Sequence, residues 1–241
     1  MQARQPARVT SAPRWHDVVA AVAPRPCAGC RGGGGPWCRT CASSLVGPAV
    51  RAALPAGSER LGPVLARAAY AGPLREALVA FKDHGRWSLR DPLGAALAVP
   101  LAALLLEDHH SGAVLVPVAP SPGSVRARDG DHVRELAQVA AHHLRACGVD
   151  VRVVRGLVGV RRRRDQVGLG RVDRAANLDG SMRAAAVLDR RDLVILVDDL
   201  VTTGSTLREA TRALRAVGVE PRGAAVVAAT GTTTAGRRWT G

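Results

Sequence analysis

Residues 192–211 read DLVILVDDLVTTGSTLREAT. Within them, residues 193–197 form an unbroken apolar run rich in β-branched side chains, the pattern of a short parallel strand buried on both faces. Asp198 and Asp199 stand at its carboxyl end, followed by a loop of small hydroxyl residues around Gly204. From Ser205 the pattern turns helical. Leu207, Ala210, Thr211 and Leu214 share one face, and Arg208, Glu209, Arg212 and Arg215 the other. The stretch predicts strand, loop and helix, with two acids where the strand ends.

That order has a chemical consequence. The amides of Thr203, Gly204, Ser205 and Thr206 open a helix without intrahelical partners, and with the helix dipole they favour an anion such as phosphate. Gly204 lets the backbone approach closely, and the hydroxyls of Thr202, Thr203, Ser205 and Thr206 add donors. Two carboxylates beside a phosphate are repelled unless they face sugar hydroxyls or a divalent cation. A ligand carrying a phosphate, a ribose and a metal satisfies every group. An apolar strand ending in Asp-Asp also occurs in phospho-acceptor receivers and in plain α/β domains, where the acids cap a helix. Neither accounts for four hydroxyl residues around one glycine. No GxxxxGK[ST] occurs, and no GxGxxG follows a strand. VILVDDLVTTGST resembles the phosphoribosyl-pyrophosphate loop of type I phosphoribosyltransferases.

At 241 residues the chain holds one domain of ordinary size plus a small appendage, and 47% hydrophobic residues mark it as globular. A net charge of +14 suits polyphosphates or nucleic acid. Yet every cation except Lys82 is arginine, in a chain full of Ala, Gly, Val and Pro, so the bias reflects coding composition as much as function. Four tryptophans, one tyrosine and one phenylalanine are too few for a stacking platform for single strands. The apolar run at 18–23, preceded by Arg4, Arg8 and Arg14, is shorter than the core of an export signal and opens on His16 and Asp17. It reads as a short helix stopped by Pro24 and Pro26. The stretch 92–106 is interrupted by Pro100 and is too short for a bilayer. The expectation is a soluble cytoplasmic protein with no membrane span.

Residues 27–41 read CAGCRGGGGPWCRTC, two CxxC pairs formed by Cys27, Cys30, Cys38 and Cys41. Each CxxC knuckle turns two thiolates toward one point, and two knuckles complete a tetrahedral zinc site. Two disulfides are the alternative, disfavoured in a reducing compartment. Four thiolates leave no open coordination position, so the zinc is structural, and so small a segment needs it to fold. Cys147 stands alone and reads as a buried helix residue.

The chain divides into a disordered tail at 1–13, a helix plus four-cysteine segment at 14–48, a Pro-, Gly- and Ala-rich boundary at 46–63, the main domain at 64–230 and a tail at 231–241. A helix starts near Pro73 with Leu74, Leu78 and Phe81 on one face. Lys82 at its end is either a helix C-terminal cation before Gly85 or a phosphate ligand. A second helix runs from about 93 to 107, and Glu107, Asp108, His109 and His110 read as its solvated terminus rather than a metal site. A third covers 133–146. Strands are expected at 113–118, 151–157, 193–197 and 224–228, and their alternation with helices gives an α/β, doubly wound, mainly parallel sheet. Arg126 and Arg128 fall on the loop after the first of these strands, where open sheets bind ligands, and their forks suit a pyrophosphate. The arginines at 161–164, with Gln166, Arg171, Arg174 and Asn177, read as a mobile catalytic loop or a nucleic-acid patch.

Together these segments resemble the ComF/GntX family of phosphoribosyltransferase-like proteins with an N-terminal zinc ribbon. The resemblance rests on a proline before two CxxC pairs, the segment 70–85 with Lys82, the strand end PVAP at 117–120, Gln166-x-x-Leu169, Arg174-x-x-Asn177 and the loop at 198–206. It implies that Asp198 and Asp199 hold ribose hydroxyls and magnesium, and that Thr202, Thr203, Gly204, Ser205 and Thr206 cradle the 5-phosphate of phosphoribosyl pyrophosphate. Asp198, Asp199, Arg126 and Arg128 then form the catalytic set, Lys82 is a further ligand-binding residue, and Mg2+ and structural Zn2+ are the cofactors. Two departures stand out. The family's Arg-Gly-Phe-Asn-Gln run reads Arg-Asp-Gly-Asp-His at 128–132, and Thr202 occupies the place of the aspartate base of purine-salvage relatives. A hydroxyl cannot take a proton at neutral pH as a carboxylate does.

Three functions compete. In one, a nitrogenous acceptor attacks C1 of phosphoribosyl pyrophosphate as pyrophosphate leaves. In another, implied by the family, a non-catalytic accessory protein serves DNA uptake and competence, binding single-stranded DNA or docking DNA-uptake proteins. The third senses phosphoribosyl pyrophosphate without turnover. A homodimer is compatible with each.

Overall fold

Strands without a polar face need cover on both sides, and the order of helices along the chain supplies it. The computed structural model describes residues 26–107, 112–119, 131–160, 180–185 and 188–233. The expected N-terminal helix, the terminal acid-histidine residues Asp108, His109 and His110, both loop arginines 126 and 128, the basic stretch at 161–177 and the tail from 234 lie outside them.

The elements in chain order are α1 (Arg39–Ser43), β1 (Val50–Ala52), β2 (Val64–Ala69), α2 (Gly72–Lys82), α3 (Arg90–Glu107), β3 (Gly112–Pro117), α4 (His132–Ala146), β4 (Asp150–Val153), β5 (Leu157–Gly159), β6 (Met182–Ala184), β7 (Val194–Val201), α5 (Ser205–Arg215), β8 (Pro221–Ala229) and β9 (Thr232–Thr233). The main sheet runs β4-β3-β7-β8-β2-β1-β9. Its first five strands are parallel. β1 is antiparallel to both β2 and β9. On one face Leu74 and Phe81 of α2, Leu97 and Leu101 of α3 and Leu136 of α4 pack with Ile195 and Val197. On the other, Leu207, Ala210 and Leu214 of α5 pack with Val194, Leu196 and Val226.

From β3 the chain passes through α4 to β4 on one side; from β7 it passes through α5 to β8 on the other. The winding therefore reverses between β3 and β7, and the crevice at their carboxyl ends is the place such a sheet offers a ligand. Val118 extends that junction by donating its N–H to the Val197 carbonyl at 2.9 Å.

Several expectations shift. The strand expected at 151–157 ends at Val153, and β5 instead pairs with β6 in a separate two-stranded sheet. The break falls where Gly156 lies so close beneath Leu188 that a Cβ would sit 2.6 Å from its Cδ1. The strand at 193–197 continues to Val201, so the paired acids lie within it. Residues 46–63, read as a boundary, contribute β1 to the sheet. β2 was not expected, because its sequence VLARAA is half alanine, a residue depleted in strands. Pro100 sits inside α3 without ending it; the buried leucines on either side hold the helix against the sheet. The helical run Trp87–Leu106 is in fact long and apolar enough to cross a membrane by length and composition, and 56% of that window is buried in this fold. Cys147, expected to be buried, is the exposed C-cap of α4.

Candidate functional site

Asp198 and Asp199 sit in the central strand at the winding reversal, 7% and 3% exposed. Alternation along a strand sends them to opposite faces. Asp199 meets Lys82, the last residue of α2, whose Nζ lies 2.7 Å from Oδ2 and 3.1 Å from Oδ1. Lys82 is thus both a helix C-terminal cation and a partner of the site's second acid. Asp198 accepts the Asp199 N–H at 2.8 Å through Oδ1. Burial, and next the charge of Asp199, hold the Asp198 carboxyl well above the usual carboxylate range, against the pull of Lys82. A buried carboxyl in that condition is relieved by a cation or by hydroxyl donors. The oxygen-only donor set of the pair suits a hard divalent ion such as magnesium.

After Val201 the chain exposes Thr202 and Thr203, turns at Gly204 and enters α5. Gly204 has φ +73°, the left-handed region in which a side chain is strained. The nearest neighbour of a Cβ there is Leu54 at 3.4 Å, an ordinary contact, so the turn itself is what requires glycine. The Thr203 and Ser205 hydroxyls lie 2.8 Å apart. With the first amides of α5 this loop presents the donors that an anion would need.

Three contributors were not legible in the sequence. Arg208, placed on the helix face opposite Leu207 and Leu214, donates from Nη1 to the Thr203 carbonyl at 2.8 Å and to Ser58 Oγ at 2.9 Å, and from Nη2 to Ser205 Oγ at 3.0 Å. Ser58 comes from the connection between β1 and β2, as do Leu54 and Leu61 beneath Gly204. Glu209, placed on the polar face of its helix, is 2% exposed. It accepts the Met182 N–H at 2.8 Å and pairs with Arg212 at 2.7 Å, clasping β6 to α5. Burial raises the Glu209 carboxyl, but Arg212 and the amides of Met182 and Gly180 outweigh it and leave it below its ordinary value. Helical periodicity fails at Glu209 because a second layer covers that side.

On the β3 side of the crevice, Arg126 and Arg128 lie outside the described residues. Asp131, the second acid of the run 128–132, is the N-cap of α4 and accepts the Arg134 N–H at 3.1 Å. His132 stacks on Trp87 with centroids 4.8 Å apart, and both meet Phe81 edge-on, next to Lys82.

The four cysteines form a second site. Their sulfurs all lie within 4.8 Å of one another. Cys27 and Cys41, and Cys30 and Cys38, are 3.6 Å apart, too far for disulfide bonds. Those separations fit a tetrahedral ion with metal–sulfur bonds of about 2.3 Å. Burial raises the Cys27 thiol, yet N–H donors from Cys38, Cys30 and Gly29 outweigh it and bring the pKa down to about 6. Burial, and then the neighbouring sulfurs, push Cys41 up. The cluster is docked rather than detached. A Cβ on Gly29 would lie 2.8 Å from Pro73 of α2, Arg86 Nη2 donates to the Pro26 carbonyl, and Ala28 and Trp37 pack on the main core.

Residues 134–238 match the phosphoribosyl transferase domain family, a span that begins in α4 and includes β7, the hydroxyl loop and α5. No curated protein matches the chain. Across that span the chain is phosphoribosyltransferase-like, on a mainly parallel α/β sheet with an N-terminal four-cysteine cluster.

Proposed function

We propose that the protein binds phosphoribosyl pyrophosphate with magnesium and transfers the phosphoribosyl group to a nitrogenous acceptor. The observation that carries this reading is the placement of two buried acids beside a hydroxyl-rich, left-handed turn at the winding reversal of the sheet. The loop at 202–206 holds the 5-phosphate, and Asp198 and Asp199 hold ribose hydroxyls and the ion. Magnesium, when bound, neutralises charge on the departing pyrophosphate. Lys82 and the arginines at 126 and 128 serve the same end. The acceptor nitrogen bonds to C1 as the bond from C1 to pyrophosphate oxygen breaks. Thr202 offers no base, so the acceptor loses its proton elsewhere. The cysteine cluster holds structural zinc, in keeping with the zinc ribbon of ComF/GntX proteins, in a cytoplasmic protein.

A second reading is favoured by Thr202 itself, an exposed hydroxyl where purine-salvage relatives carry their base. It is a ComF-like accessory protein that binds the same ligand, or nucleic acid, without turnover. Pyrophosphate release from phosphoribosyl pyrophosphate, followed across a panel of nitrogenous bases, separates the two. Base-dependent release that disappears in Asp198→Asn/Asp199→Asn supports transfer. Ligand binding without release by any acceptor supports the accessory role.

A further inference from the structure

We infer that Arg208 is a positioning residue that engages the acceptor groups of the phosphate loop, leaving its hydroxyl protons and amides to face a phosphate monoester; this rests on the ligand reading given above. A serine or threonine hydroxyl carries one proton and two acceptor sites, so a pair of them by itself has no preferred direction. A guanidinium has no acceptor. Since Nη2 of Arg208 donates to Ser205 Oγ at 3.0 Å, one acceptor site of that oxygen is taken. Thr203 Oγ1 lies 2.8 Å from it, and either hydroxyl can donate to the other. Whichever of the two donates, one proton of the pair is left for an anion, while the guanidinium fills an acceptor site that a phosphate would repel.

The same side chain removes an opposing group. Nη1 donates to the Thr203 carbonyl at 2.8 Å, engaging an acceptor that a phosphate would repel. Its other contact, Ser58 Oγ at 2.9 Å, ties the loop to a point 150 positions earlier in the chain. Charge-assisted donors of this kind are about twice as strong as neutral ones, so the arrangement stands before the ligand arrives.

Titration calorimetry with ribose 5-phosphate tests this on the full chain. The unsubstituted chain binds, and Arg208→Gln weakens the dissociation constant by about tenfold, the scale of one hydrogen bond to a charged group. The deciding arm repeats the substitution in a Thr203→Val/Ser205→Ala background. There, Arg208→Gln costs only about threefold, because the hydroxyl it engages is gone and only its contacts with the Thr203 carbonyl and Ser58 remain. A full tenfold loss in that background, or no loss in the unsubstituted chain, overturns the inference. Should Arg208→Gln fail to fold, Arg208→Lys retains the charge without the fork, and affinity equal to that of the unsubstituted chain overturns it equally. Failure of the unsubstituted chain to bind ribose 5-phosphate overturns the phosphate reading and the role of Arg208 together, a result distinct because it precedes any substitution.

Discussion

Four sulfurs meet in the cysteine cluster across a separation of at most 14 positions. The acid pair instead depends on Lys82, 117 positions from Asp199, and its loop on Ser58, 150 positions from Arg208. In the cluster, spacing brings the ligands together, and under the zinc proposal an ion supplies the energy that holds them. At the crevice the sheet supplies the energy, and the chain provides its own cation for one acid while leaving the other desolvated. The two sites should therefore fail in different ways, one when its ion is removed and the other when a distant partner is.

The largest expected effect is at the cluster. Structural zinc contributes about 10 kcal/mol to small sites of this kind. Elemental analysis should give one zinc per chain. After chelation, amide exchange should accelerate over residues 27–45 while β7 and β8 stay protected. A chelated chain with unchanged protection there would mean that the contacts of Gly29 and Trp37 with the core suffice without metal.

Lys82→Met comes next, since it strands the buried Asp199 carboxylate. Breaking a fully buried pair costs about 3–5 kcal/mol, and with a third of the Lys82 side chain exposed the expected loss is about 2 kcal/mol in urea unfolding. An unchanged midpoint would show that the pair does not form in solution.

Asp198→Asn should act in the opposite direction. A carboxyl whose pKa is raised by folding binds its proton more tightly in the folded chain, so its ionisation opposes folding. That cost is absent below the unfolded value near pH 4 and is complete above the raised folded value. The asparagine can still accept the Asp199 N–H. At pH 8 it should raise Tm by about 2–4 °C, equivalent to about 1 kcal/mol, with the gain vanishing toward pH 4. Equal melting at pH 8 would show that Asp198 carries no such strain. Gly204→Ala should cost about 1 kcal/mol, from backbone strain alone, because a Cβ there meets nothing closer than 3.4 Å. A loss well beyond that, measured by the same unfolding, would point to a clash with Leu54.

The contrast between the sites also explains what could be read from the residues alone. CxxC spacing and the DD-x-x-TTGST run are local patterns, and local patterns name elements and ligand sets. The mainly parallel sheet followed from apolar runs such as 193–197, whose composition has no other use. β2 escaped because alanines fill a strand only when neighbouring strands and helices demand it. Glu209 is buried although it falls on the polar face, because a helical wheel assumes one buried face whereas α5 also receives β6, and the reach of Arg208 to Ser58 depends on a turn far away in the chain. The pairing of Lys82 with Asp199 is a property of the sheet's winding, which no window of sequence contains.

Calorimetry with phosphoribosyl pyrophosphate and magnesium, on the unsubstituted chain and on Asp198→Asn/Asp199→Asn, tests the ligand site most directly. The account predicts saturable binding that strengthens as pH rises through the elevated Asp198 value and is lost in the double variant. Equal binding by both chains would contradict it.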